Sequence, residues 1–324
     1  MKKKYLLLLL CLPLLVTGCK YEPKLVDGKE VVVELNGKQF TAEEFYEEMK
    51  EVNGTGVLIN LVNNYITEQE LTEEMEKDAL EEAQAQYDSY YAQSGKDWNS
   101  FLSYYGYSSS DAFLKDLQDS YKQSAVLENY LKTDVIKEED INEYYENDIF
   151  GEVTVRHILI KPDVDDDMTD TEKEEAKRKA LEEAKDIIKK LGNTENVEEK
   201  FIELAKDESD DTTASEGGLI ENFTNESGLV EEFWEASLKL ENGKYTTEPV
   251  ETEFGYHIIY KVSQKEKPSL EEVKEKVLDN LVKELLSEKN ANLIYWAGLR
   301  EKYNMVINDE VIKDTYDSTM KLYK

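Results

Sequence analysis

The chain has 324 residues, with 72 Asp and Glu against 39 Lys and Arg, and a formal charge of −33. So acidic a surface excludes nucleic acid as a partner, because binding needs cations against phosphate, and it repels anionic lipid. The length is enough for more than one domain, and the only two cysteines, Cys11 and Cys19, lie near the start. The rest of the chain must therefore be held by its core and not by disulfides.

Met1-Lys2-Lys3-Lys4 is a cationic start, followed by an apolar run from Tyr5 to Val16 and then Thr17-Gly18-Cys19. This is the pattern of a secretory leader, 1–18, too short to span a bilayer comfortably. Val16-Thr17-Gly18-Cys19 resembles the bacterial lipobox. That resemblance implies cleavage before Cys19 and a diacylglyceryl thioether on its sulfur, whose two acyl chains are enough for stable anchoring. Residues 19–30 read as a polar tether.

Val31-Val32-Val33-Glu34-Leu35 with Asn36-Gly37 predicts a strand and tight turn. Thr41 and Glu44 form a capping box that opens a helix through about Val52. Helical spacing then continues to about residue 148, with segments at 71–92, 97–106, 110–133 and 138–147. No proline interrupts between Pro23 and Pro162. Tyr87, Tyr90, Tyr91, Tyr104, Tyr105, Tyr107, Tyr121 and Tyr130 cluster here; half-buried packing accounts for most, and loose contact with unfolded chains is the functional alternative.

At Gly151 the pattern changes. Val153–Ile160 predicts a strand, and a helix over 171–191 has capping candidates in Thr169 with Glu172 and Thr171 with Glu174. Helices follow at 197–205 and 233–240, then strands at Pro249-Val250 and 257–262. The order β-α-α-α-β-β fits one small α+β module, 150–264. After Pro268 an amphipathic helix is expected to run to about Tyr303, with Met305-Val306-Ile307 as a strand. This helix and strand would pack back on an N-terminal domain of 31–149. The acidic loop Asp163–Asp167 lacks the glycine and glutamate of a calcium loop, so no metal or other cofactor is expected.

The chain's two histidines, His157 and His257, each lie in a β-rich run. By themselves they suit a satisfied core as well as a site. The surrounding residues decide: Val155–Ile160, Phe201–Lys206, Gly217-Gly218, Phe223, Phe233, Gly243 leading to Pro249–Thr252, and Phe254–Ile259 together closely resemble the parvulin prolyl isomerases. The resemblance covers 153–263. It implies a polar network of His157, Asp211, Thr252 and His257, with Asp210 as a register alternative to Asp211. It implies a proline pocket of Ile220, Leu229 and Phe233, with Phe223 beside it and Phe254 near the second histidine. Gly217-Gly218-Leu219-Ile220-Glu221-Asn222-Phe223 departs from the family's Gly-Gly-Asp-Leu-Gly run, and that loop borders the pocket.

The whole layout resembles the PrsA-type foldase lipoproteins and the related SurA chaperones. The fold class implied is α+β, a mainly helical chaperone body with an inserted parvulin module, its small antiparallel sheet flanked by helices. The resemblance implies unfolded or newly secreted polypeptides with Xaa-Pro bonds as partners and the outer face of the membrane as location, and it leaves a homodimer open. A module that binds without turnover is the first rival. A solute-binding lipoprotein is the second, disfavoured because it needs two α/β lobes.

Overall fold

The computed structural model describes Leu25, Val26 and residues 28–323. The leader, the lipid attachment at Cys19 and most of the tether lie outside the described residues. The chain divides into two compact units, residues 1–130 with 288–324, and residues 131–287. No helix among the described residues is long and apolar enough to cross a membrane.

In the first unit β1 (Leu25–Val26), β2 (Lys29–Leu35) and β3 (Lys38–Thr41) form an antiparallel sheet in that order. The turn between β2 and β3 uses Asn36 and Gly37, both at positive φ, which these two residues tolerate best. Thr41 and Glu44 close the expected capping box on α1 (Ala42–Met49). A π-turn, Lys50–Gly54, then leads into α2 (Thr55–Glu70). The helices α3 (Glu73–Ser94), α4 (Trp98–Tyr104) and α5 (Ser110–Tyr130) follow. Trp98, Leu102 and Phe113 form an aromatic core there, with Tyr87, Tyr90, Phe101 and Tyr107 packed around it.

Two expectations for the C-terminal segment fail. The helix after Pro268 is broken into α10 (Leu270–Ser287) and α11 (Ala291–Lys302) at Asn290, whose φ of 66° is left-handed and ends helical propagation. Met305-Val306-Ile307 is not a strand. Val306 is 75% exposed, and among the described residues no strand lies alongside to accept it. Asp309 instead caps α12 (Glu310–Lys321) by accepting from the Ile312 amide at 3.1 Å. α11 and α12 pack on α2.

The second unit opens with a π-turn, Leu131–Val135, and then α6 (Glu138–Asp148), which packs on α10 through Ile141, Ile149, Val277 and Leu278. Between them comes β4 (Val153–Ile160), α7 (Asp170–Leu191), α8 (Val197–Glu208), a 3₁₀ turn (Thr212–Glu216), β5 (Leu219–Phe223), α9 (Glu231–Lys239), β6 (Val250–Thr252) and β7 (Gly255–Gln264). The sheet is antiparallel throughout, in the order β5-β4-β7-β6. Thr169 with Glu172 is the capping box that α7 uses.

The strand β5 was not expected. Its five residues include Glu221 and Asn222, and Asn222 has φ 53°, so the segment carries no alternating signal. The order is therefore β-α-α-β-α-β-β. Both faces of the sheet are covered. Ile158, Ile160, Tyr256, Ile258 and Tyr260 meet α7 and α8. Val153, Val155 and Ile259 meet Phe223 of β5 and Phe233 and Trp234 of α9. This explains why β4 and β7 read as near-continuous apolar runs. The module closes on itself where it enters and leaves. The Lys265 amide donates to Glu152 O at 2.9 Å, and a Cβ added to Gly151 would lie 1.9 Å from Lys265 O.

Candidate active site

His157 on β4 and His257 on β7 point to the same face of the sheet, because each is two residues from the other's cross-strand partner. His157 pairs with Ile259, and His257 with Leu159. Their Nδ1 atoms meet at 3.3 Å with the rings nearly parallel. Both are buried, at 3% and 5% exposure.

The rest of the network fixes the protons. The Asp211 carboxylate accepts from the Thr213 amide at 2.8 Å and the Thr213 hydroxyl at 2.6 Å. His157 Nε2 lies 3.2 Å from both Asp211 Oδ1 and Thr213 Oγ1. With the hydroxyl proton committed to the carboxylate, Nε2 must be the donor. A neutral His157 then accepts at Nδ1, so His257 donates there and its Nε2 accepts. Thr252 Oγ1 sits 2.9 Å from that Nε2 and supplies the proton, while accepting from the Phe254 amide at 3.1 Å. One directional chain results, Thr252 to His257 to His157 to Asp211, in which the Thr252 proton goes to Nε2 at 2.9 Å in preference to the Gly255 carbonyl at 3.4 Å.

Electrostatics agree. Burial pushes His157 below the usual imidazole range, outweighing the pull of Asp211. Burial, helped by His157, pushes His257 down to about 4. Burial alone would raise Asp211, but the two Thr213 bonds and His157 outweigh it and hold its carboxyl low. At neutral pH the site has two neutral imidazoles and one carboxylate. Among the described residues no group of three or more His, Cys, Asp or Glu side chains is arranged to hold a metal ion.

Asp211 meets His157; Asp210 instead binds the Lys161 amide through Oδ2 at 2.8 Å and splints the end of β4. The apolar wall is Phe233, whose ring stands edge-on to both imidazoles at 5.3 and 5.2 Å. Phe223 lies beside it at 6.2 Å, and Ile220 and Leu229 are half-buried in the same cluster. Phe254 is not brought to this wall. It lies at the β6–β7 turn, 53% exposed, and contributes its amide to Thr252.

Two contributors were not foreseen. Thr213 bridges Asp211 and His157, and a hydroxyl two residues after an aspartate is a turn signal that could have suggested it. Gly218 carries the second. Its carbonyl accepts from the His157 amide at 2.8 Å, with φ 71°, and an added Cβ would lie 2.0 Å from His157 O. Only glycine lets β5 begin this close to the histidine.

Residues 157–263 match the rotamase family model, described as a PPIC-type PPIASE domain. The Foldase protein PrsA of Bacillus subtilis is 29% identical over 197 residues, covering 61% of this chain and 57% of that relative. The Foldase protein PrsA of Levilactobacillus brevis is 27% identical over 318 residues, covering 96% of this chain and 93% of that one. In fold the chain is similar to the crystal structure of a peptidylprolyl isomerase, PrsA, from Bacillus cereus. That match has a TM-score of 0.52 and 24% identity, and covers 90% of this chain and 98% of that one. Fold and site together define a mainly helical chain carrying a parvulin-type module. Over nearly its whole length the chain is similar to foldases of the PrsA type.

Proposed function

We propose that this chain is an extracytoplasmic foldase that speeds cis–trans isomerisation of Xaa-Pro bonds and holds unfolded clients on its helical unit. The observation that carries the catalytic part is the Phe233 ring set edge-on against two neutral, mutually bonded imidazoles. Isomerisation forms no lasting bond and must lower a rotational barrier of about 20 kcal/mol. A proline ring against Phe233, Ile220 and Leu229 would leave the twisting imide in a site of low polarity. There the charge separation of the planar amide is poorly solvated and the twisted form is relatively favoured. The directional chain from Thr252 to Asp211 would hold the imidazoles fixed while this happens. His157, His257, Asp211 and Thr252 are thus proposed as site residues, and Ile220, Phe223, Leu229 and Phe233 as the wall.

The second reading is a module that binds without turnover, favoured by Phe223 and Phe233 being only 3% exposed each. A protease-coupled assay on an Ala-Pro peptide separates the two. The catalytic reading requires a rate above background that falls in His157→Ala; background rate in the intact chain with retained aggregation suppression leaves the binding module.

Attachment through Cys19 to the outer face of the membrane rests on Lys2–Lys4, the apolar run and Val16–Cys19. Radiolabelled palmitate incorporated into the native chain but not into Cys19→Ser is the expected result, and equal labelling of both removes the anchor. A homodimer is a further proposal, to be read from sedimentation of the chain lacking the leader.

A further inference from the structure

Lys261 is buried on β7, at 2% exposure. His257, Ile259 and Lys261 alternate along the strand and so point to one side of the sheet, the side that α9 covers. Lys261 Nζ donates to Leu238 O at 3.1 Å and to Gln264 Oε1 at 2.7 Å. Among the described residues no acidic side chain pairs with it, and burial lowers its ammonium below the ordinary lysine range. A buried cation without a counter-charge is costly, and an aliphatic side chain would fill the same space without that cost.

The carbonyl that it binds explains a cation here. Leu238 lies in the last turn of α9, where carbonyls lack an intrahelical donor and the helix dipole is negative. Lys261 supplies a donor and a positive charge together. Among the described residues no other side-chain hydrogen bond joins α9 to the strands; Ser237 donates to Phe233 O and Lys239 to Glu235, both within the helix. At the other end of α9, in its first turn, Phe233 stands edge-on to His257 at 5.2 Å and to His157 at 5.3 Å. The helix is thus pinned to β7 at two points, Phe233 against His257 and Leu238 against Lys261. These lie about 7.5 Å apart along the helix and about 13 Å apart along the strand. A ring contact is non-directional and leaves a helix free to roll, whereas the hydrogen bond has a direction and fixes the roll.

We propose that Lys261 is a positioning residue for the histidine site: its bond to Leu238 O fixes the roll and tilt of α9 and so holds the Phe233 ring edge-on to the two imidazoles. The effect on rate rests on the catalytic reading above; the effect on ring geometry does not. Lys261 touches neither imidazole and no reacting atom. It acts through the helix, and its cost in stability is offset by the order it gives to the wall of the site.

The test uses the intact chain without its leader, as Lys261→Met, neutral and similar in size, and as Lys261→Gln, whose amide is one bond too short to keep the contact. Nuclear Overhauser contacts from the Phe233 ring to the imidazole protons, the isomerase rate on an Ala-Pro peptide and the melting temperature are read together. In both variants the ring contacts are expected to weaken and kcat/KM to fall about tenfold. Lys261→Met is expected to melt no lower than the native chain, because an uncompensated buried cation has gone. Ring contacts unchanged in the variants overturn the proposal, as does a lower melting temperature with contacts and rate both retained. A native chain with no rate above background overturns the catalytic reading instead, and the ring contacts then decide the role of Lys261. In the native chain a Lys261 Nζ resonance scalar-coupled to the Leu238 carbonyl is required, and its absence overturns the proposal whether or not either variant folds.

Discussion

His157 and His257 touch through identical atoms, Nδ1 to Nδ1 at 3.3 Å, so one proton serves the contact and one ring must donate it. The Asp211 end of the chain decides which. Long-range proton–nitrogen correlation spectra should therefore show His157 protonated at Nε2 and His257 at Nδ1. In Asp211→Asn that order loses its anchor, and kcat/KM is expected to fall about tenfold or more, whereas Thr213→Val, removing one hydrogen bond of about 1 kcal/mol, costs roughly fivefold.

Stability should fall on acidification from a specific source. Unfolded His257 titrates near 6.5, and in the fold burial and His157 push it down to about 4. Between those values the unfolded chain binds the extra proton, so unfolding becomes easier as pH falls through that window. His157 acts in the same direction. His257 alone is worth of the order of 3 kcal/mol across the window. Urea midpoints of the native chain and His257→Phe, taken from pH 7.5 to 4.5, should converge as the pH drops. Isomerase rate should stay flat from about pH 7.5 to 8.5, since both rings are held below the usual imidazole range.

Backbone proximity gives a sharper contrast. Gly218→Ala forces a methyl to within 2.0 Å of His157 O, whereas Gly228, at φ 74°, has open space around its Cα. Gly218→Ala is expected to cost about 3 kcal/mol or more, and Gly228→Ala about 1 kcal/mol from the left-handed backbone alone. Chemical denaturation followed by tryptophan fluorescence reads both.

The tyrosines separate into two groups. Tyr87, Tyr90 and Tyr107 are packed around Trp98 and Phe113, while Tyr104 and Tyr105 are 83% and 59% exposed and stand edge-on at 5.0 Å. A paired Tyr104→Ser and Tyr105→Ser variant should melt within about 0.5 kcal/mol of the native chain, as surface changes do, yet suppress aggregation of an unfolded client less well. Tyr90→Ser should do the reverse, losing stability first.

The elements most readable from sequence were those whose local signals agree with their tertiary setting. Thr41 with Glu44 and Thr169 with Glu172 announce their helices and cap them in the structure. Val153–Ile160 is apolar on alternate and intervening positions because helices cover both faces of its sheet. The histidines were found because their neighbouring motifs are specific. What escaped depended on backbone angles that side-chain pattern does not encode. Asn222 bends β5 out of any alternating register, and Asn290 divides one amphipathic stretch into two helices. Thr213 looks like an ordinary turn hydroxyl until the turn brings it beneath His157. Met305-Val306-Ile307 has strand composition, but a strand also needs a partner, and composition does not supply one.

The contact between Gly151 and Lys265 gives the sheet-bearing segment a single doorway. A chain that departs and returns within one hydrogen bond leaves α6 and α10 joined by almost the same gap whether or not the segment is present. Such a segment behaves as a cassette: genetic deletion with a two- or three-residue bridge, or replacement by a foreign module with similarly close ends, asks little of the helices on either side. Selection could therefore tune, dull or discard the histidine chemistry without redrawing the frame that carries it.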